Sequence, residues 1–411
     1  MKSALLQAGL LMLVSSVMIG HADQARPLAP KTVALLKSGA QPVKIICFGD
    51  SITGVYYHTG SRRAWCDMLG IALCRLYPGA KLEMVNAGIS GHTTAAGLER
   101  IERDVLRHEP QLVVVMFGMN DVARLHAEAF RANLGQIVRQ CRGVGTEVIL
   151  CTPNSIYPVD ARRPVAQLAA YAEIVRRAGA ELNVPVADCY RAYEEIRAKD
   201  PRAWMLLMSE AIHPNMKGHK LFAEEVAGVI SGRRVTLDDV PPLLPAIPET
   251  LARLAKGEPV RVIAMPPYDG LIEPALRERK RDVRVEITPW PIVGGSLAGI
   301  DKWSQKIRQL KPDLVIVAVP ADASTPDEAE FIRTYSWILN RSLNFGTPTW
   351  DCIAVLPSVA KPNLTATERA AENLALEIVR SKDIGVVMRK KGDHSPAATI
   401  LSRWLQGQVK R

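Results

Sequence analysis

The chain has 411 residues, 48% hydrophobic and 23% charged, with 28 Gly and 28 Pro. That length points to two domains, and the composition excludes disordered, collagen-like and multi-span membrane classes. The formal net charge of +10 favours acidic surfaces, but basic residues alternate with acids over 98–108 and 271–284 and form no stripe interleaved with aromatics, so no nucleic-acid partner is expected.

Residues 1–22 read as a secretory signal peptide: Lys2, an apolar stretch over 4–19, and small residues at Gly20 and Ala22, with cleavage expected near Ala22. Gln7, Ser15 and Ser16 interrupt the run, which is shorter than the ~20 apolar residues of a spanning helix. No stable membrane insertion is therefore expected after leader removal. Residues 23–40 follow as an N-terminal extension.

From residue 43 onward, short apolar runs alternate with segments of helical period, the pattern of an α/β fold with a parallel sheet covered by helices on both faces. Strands are expected at 43–48, 82–85, 112–117, 148–151 and 184–187. Between the first two, Trp65, Met68, Leu69, Ala72, Leu73 and Leu76 form one helical stripe, stopped by Tyr77-Pro78-Gly79. A last helix is expected over 217–230, which closes a first domain at 41–235. The prolines at 241, 242, 245 and 248 then make 236–259 a semi-rigid linker.

A second, smaller α/β domain is expected over 260–411, because the first pattern recurs there. The strand at 43–48 is echoed at 260–265, and Pro110-Gln111-Leu112-Val113 by Pro312-Asp313-Leu314-Val315. Later strands are expected at 352–356 and 384–387. A duplicated unit explains this, as does the general Val and Ile richness of buried parallel strands.

The seven cysteines lack ligand-like spacing and lie in apolar segments, so buried thiols are expected, with no metal and no cofactor. Four blocks carry chemistry instead. Gly49-Asp50-Ser51 ends the first strand, Asn86-Ala87-Gly88 follows the second, and Gly118-Met119-Asn120-Asp121 follows the third. Glu210-Ala211-Ile212-His213 precedes the last helix. The first three lie at the carboxyl edge of an open α/β sheet, where ligands bind.

In these blocks the chain resembles the SGNH or GDSL-type hydrolases, over 43–230. The resemblance implies a flavodoxin-like, three-layer α/β/α domain. It makes Ser51 the nucleophile and His213 the general base, with an oxyanion hole made by the backbone N–H groups of Ser51 and Gly88 and the side-chain amide of Asn120. Where the family usually places an Asp three residues before the histidine, Glu210 stands. Either Glu210 orients His213 in a triad, or His213 and Ser51 work as a dyad.

Asp50 and Asp121 are expected to hold their loops and His219 to be structural, whereas His58 and His92 could line a substrate site. The second unit sets Tyr268 opposite Ser51 and Asp322 opposite Asn120, so it is expected to be a degenerate, non-catalytic relative that packs against or walls the first. The reading is an exported serine esterase acting on an ester substrate, with acetylated carbohydrate as the favoured class. The aromatic and basic loop at 55–63 leans toward a polar or anionic substrate. The alternatives are a lipolytic acyl hydrolase, and a carbohydrate-binding or scaffolding protein that has kept the fold without its activity.

Overall fold

The computed structural model describes residues 29–292, 295–323 and 325–408. The expected signal peptide and the first part of the expected extension lie outside the described residues. No described helix is long and apolar enough to cross a membrane.

The first unit opens with α1 (Pro30–Ser38) and β1 (Pro42–Gly49), followed by α2 (Trp65–Leu76), β2 (Lys81–Gly88), α3 (Thr94–Asp104) and β3 (Leu112–Met116). It continues through α4 (Ala127–Gly143), β4 (Glu147–Cys151), α5 (Val165–Leu182), the short β5 (Val186–Ala187), α6 (Cys189–Lys199), α7 (Pro201–Met205) and α8 (Met216–Ser231). All pairings are parallel, and the strand order is β2-β1-β3-β4-β5, the doubly wound flavodoxin-like arrangement.

β1, β3 and β4 are buried along nearly their whole length, which is why they read as unbroken apolar runs. The stripe seen in the sequence of α2 is real: Trp65, Met68, Leu69, Ala72 and Leu73 are all enclosed, each side chain of Leu size contributing ~1.5–3 kcal/mol. β5 is shorter than expected and begins only after Pro185, which has no N–H to give the ladder.

The second unit contains α9 (Pro248–Lys256), β6 (Val260–Ala264), α10 (Tyr268–Arg277), β7 (Val285–Pro289), α11 (Leu297–Ser304), α12 (Ile307–Leu310) and β8 (Leu314–Val317). Then come α13 (Glu328–Ser342), β9 (Asp351–Val355), α14 (Pro357–Ala360), α15 (Ala366–Arg380), β10 (Gly385–Val387) and α16 (Ala397–Gln406). Its strand order, β7-β6-β8-β9-β10, repeats that of the first sheet.

The repetition extends to details that the sequence hides. Glu147, at the start of β4, accepts from the backbone N–H groups of Lys31 (3.1 Å) and Thr32 (2.7 Å) at the head of α1. Asp351, at the start of β9, does the same for Glu249 (3.3 Å) and Thr250 (2.6 Å) at the head of α9. In each case a carboxylate from a neighbouring strand satisfies orphan donors at a helix N-terminus. The linker expectation is corrected accordingly. Its final part is the helix α9, which packs on the second sheet, and its proline-rich part is fastened rather than free. Arg62 donates to the Pro245 carbonyl at 2.8 Å and Lys220 to that of Val240 at 2.8 Å.

The units meet along a polar seam. Arg63 grips Asp383 with two bonds, Nε to Oδ2 at 2.6 Å and Nη2 to Oδ1 at 2.7 Å, and both side chains are buried. Met216 N–H, at the head of α8, donates to the Ser381 carbonyl at 2.7 Å. Gly60 adopts φ +70°, and a Cβ there would stand 2.6 Å from the Lys382 carbonyl oxygen, so only glycine allows this approach.

Removing one partner of a buried ion pair leaves the other charge stranded, a loss of ~3–5 kcal/mol. Asp383→Ala is therefore expected to lower the urea unfolding midpoint of the chain clearly. An unchanged midpoint would show that this pair does not hold the units together.

Candidate active site

The expected residues converge at the carboxyl edge of the first sheet. Ser51 follows β1 directly, in a turn held by the Asp50 carboxylate, whose Oδ1 accepts from Ile52 N–H at 2.9 Å. Arg100, on α3, anchors the neighbouring strand ends by donating to the carbonyls of Gly49 (2.8 Å) and Ala87 (2.9 Å). Gly88 lies so close to the Thr53–Gly54 peptide that a Cβ would stand 2.2 Å from Gly54 N, which fixes glycine at this position.

Ser51 Oγ lies 2.8 Å from His213 Nε2, and His213 Nδ1 lies 2.5 Å from Glu210 Oε1. An ionised carboxylate only accepts, so Nδ1 carries the proton and Nε2 is left to accept from the Ser51 hydroxyl. Burial alone would raise the Glu210 carboxyl, but the hydrogen bonds and charge of His213 outweigh it and hold Glu210 below the ordinary glutamate value.

The longer side chain fits because the loop turns it back on itself. Oε1 also accepts from the backbone N–H groups of His213 (2.8 Å) and Ile212 (3.3 Å). The loop is braced by Asn154, which donates to the Ile212 carbonyl at 2.9 Å, and by Tyr157 N–H, which donates to that of Ala211 at 3.0 Å.

Asn120 is buried nearby. Its Oδ1 accepts from Arg163 Nη2 at 3.2 Å, which directs Nδ2 toward the His92 carbonyl (3.1 Å) and Asp50 Oδ2 (3.5 Å). The Ser51 N–H has no hydrogen-bond partner among the described residues. Gly88 N–H differs from expectation in being already partnered, at 3.0 Å, by Asn86 Oδ1. Asp121 holds its loop as expected, accepting from Thr94 N–H at 2.8 Å and Gly118 N–H at 3.1 Å. Enclosure raises the Asp50 carboxyl to about 7, only partly offset by the Ile52 N–H.

His219 is structural, accepting from Trp65 N–H at 2.9 Å. His92 accepts from Arg100 Nε at 3.2 Å. His58 does not line an open crevice: it is buried and stacks on His213, a placement with no signal in the sequence. Asn154 and Arg163 were also missed, because nothing in their local sequence distinguishes them from ordinary loop residues.

The lean toward an anionic substrate loses its support, since Arg62 and Arg63 turn to the linker and Asp383. Six cysteines are buried thiols, and Cys74 is the exception, exposed on α2. His58, Glu210 and His213 place ligand-type atoms within 4.8 Å of one another. His213 uses both nitrogens on Ser51 and Glu210, so hydrogen bonding accounts for its place in the group.

Residues 47–221 match the GDSL-like Lipase/Acylhydrolase family. An acetylxylan esterase of Geobacillus stearothermophilus is 26% identical over 44% of this chain and 90% of that protein. The thioesterase 1/protease 1/lysophospholipase L1 of Escherichia coli (strain K12) is 27% identical over 44% of this chain and 81% of that protein. Among solved structures, the lipase/acylhydrolase from Enterococcus faecalis aligns at 28% identity and a TM-score of 0.41, covering 48% of this chain and 99% of that one.

The buried imidazole of His219 makes a further claim testable. Burial lowers its pKa from 6.5 to about 3. Between those values the unfolded chain binds more protons than the folded one, so stability falls as the pH drops through this window. His219→Gln keeps an acceptor for Trp65 N–H and is expected to flatten the decline in urea stability between neutral and mildly acidic pH. An identical decline in the variant would refute the assignment.

Proposed function

Residues 47–221 match the GDSL-like lipase/acylhydrolase family, and from that match we propose that the chain is an ester hydrolase working through an acyl-serine intermediate on Ser51. The observation that carries this reading is the 2.8 Å contact between Ser51 Oγ and His213 Nε2. In the first half-reaction Ser51 Oγ attacks the ester carbonyl carbon and its proton passes to His213 Nε2. Glu210 holds the opposite ring nitrogen and stabilises the imidazolium. When the tetrahedral intermediate collapses, the carbon–oxygen bond to the alcohol breaks and His213 returns the proton to the departing oxygen. Water then repeats the sequence on the acyl-serine and frees the acid.

The oxyanion donors in this reading are the Ser51 and Gly88 N–H groups and Asn120 Nδ2. The Ser51 N–H is the donor nearest to free, Asn120 is aimed by Arg163, and Gly88 contributes when its Asn86 contact opens. Neutral donors fixed before reaction stabilise developing charge without reorganising.

For the substrate we favour an acetylated carbohydrate outside the cell. The leader-like residues 1–22 support export, and the acetylxylan esterase among the relatives supports the substrate class. The thioesterase and lysophospholipase relative keeps a lipolytic reading in view.

The full-length chain is expected to label with a fluorophosphonate probe and to cleave short acyl esters faster than long ones, with Ser51→Ala abolishing both. Absence of labelling would sink the covalent mechanism, and a preference for long acyl chains would favour the lipolytic alternative. Asn120→Ala is expected to lower kcat by ~10²- to 10³-fold. An unchanged kcat would remove Asn120 from the oxyanion hole.

A further inference from the structure

Four polar side chains from the two units meet behind the His213 ring, and the hydrolysis described above uses none of them. Lys382 sits in the turn ahead of β10 and is wholly enclosed, donating from Nζ to Ser209 Oγ and to Asn340 Oδ1, both at 2.5 Å. Asn340, near the end of α13, donates from Nδ2 to the Ser209 carbonyl at 3.0 Å. Ser209 Oγ in turn lies 3.0 Å from His58 Nδ1. The His58 ring stacks face to face on His213, with centroids 3.9 Å apart and planes inclined by 13°.

An enclosed ammonium is costly, and an apolar side chain would fill the space at less expense. What Lys382 and Asn340 achieve is to fix the Ser209 hydroxyl on one side of the His58 ring, so that this ring cannot rotate. We propose that Lys382 and Asn340 are positioning residues for the hydrolysis: through Ser209 and the stacked His58 they hold the His213 ring in the plane that faces Ser51 with one nitrogen and Glu210 with the other. The second unit is thereby a working part of the first unit's active site. The inference rests on the serine-hydrolase reading given above.

Charge supports the same arrangement. A protonated His58 would repel the imidazolium that forms on His213. Burial, and then the charges of His213, Lys382, His219 and Arg308, hold His58 well below the ordinary histidine value. Burial brings Lys382 down to about 7, opposed by Glu210. Tyr57 closes the remaining side, with its ring centroid 3.9 Å from that of His58. His58 is thus a neutral support on which His213 can gain and lose its proton.

The test uses the full-length chain with p-nitrophenyl acetate, comparing wild type, Lys382→Met, Ser209→Ala and the double variant. A ring displaced by an ångström costs up to ~10²-fold in rate. Each single variant is therefore expected to lower kcat by about 10- to 10²-fold with KM within about twofold. Lys382→Met should also move the acid limb of kcat/KM to higher pH, because a nearby cation is gone. The double variant should be no worse than the worse single one, since both changes break one chain of contacts.

Wild-type kcat and pH profile in both single variants would overturn the proposal, as would losses that multiply in the double variant. If circular dichroism shows Lys382→Met unfolded, Ser209→Ala decides alone, since it removes only a hydroxyl. A wild-type chain that does not react with fluorophosphonate would sink the serine-hydrolase reading, and this inference with it. An active wild type with insensitive variants would sink this inference only.

Discussion

The site depends on one short hydrogen bond, from His213 Nδ1 to the Glu210 carboxylate at 2.5 Å. An imidazole free to rotate presents Nε2 to Ser51 only part of the time, and its tautomer is undefined. Glu210 settles both questions because the loop has settled Glu210, whose Oε1 already caps the backbone N–H groups of residues 212 and 213. The tight turn takes up the extra methylene of glutamate, so the residue that breaks the family pattern still reaches the ring. The loop is then fixed from outside, by Asn154 and Tyr157 of its own unit and by Asn340 and Lys382 of the other.

The two units share a layout and differ in what stands at the strand ends. Both sheets have the same strand order, and in both a carboxylate at the start of the fourth strand caps the first helix. Beyond β1 the first unit offers a serine in a turn, its N–H without a partner among the described residues. Beyond β6 the second offers Pro266 and Pro267, which have no N–H, and an enclosed Tyr268 whose N–H is taken by the Met265 carbonyl at 2.9 Å, with no serine at the equivalent place. A parallel sheet supplies the crevice in either case, and the side chains at its rim decide whether chemistry follows.

Burial perturbs three titratable groups where these parts meet. Asp50 is raised to about 7 beneath the Ser51 turn, while His219 is lowered to about 3 and Lys382 to about 7 on the far side of His213. Each is a cost that apolar packing would avoid, and such costs concentrate at functional sites. The Arg63–Asp383 pair carries the same expense at the seam, and its two bonds set the turn that bears Lys382.

By itself the sequence determined the α/β class and the order of strands and helices, and it singled out Ser51, His213, Asn120 and Gly88 as candidate site residues. Those features are local: an unbroken apolar run marks a buried strand, a stripe at helical spacing marks a packed helix, and short motifs sit at strand ends. Only the tertiary structure decided that Glu210 reaches its histidine, that Gly88 N–H is held by Asn86, and that Arg163 aims the Asn120 amide. It alone brought His58, Ser209, Asn340 and Lys382 into one cluster, and it turned Arg62 to the linker and Arg63 into the seam. The physical reason is range, since these contacts join residues up to 320 positions apart. A buried lysine or a stacked histidine has no signature in its neighbours along the chain, because its role is set by whatever the fold presses against it.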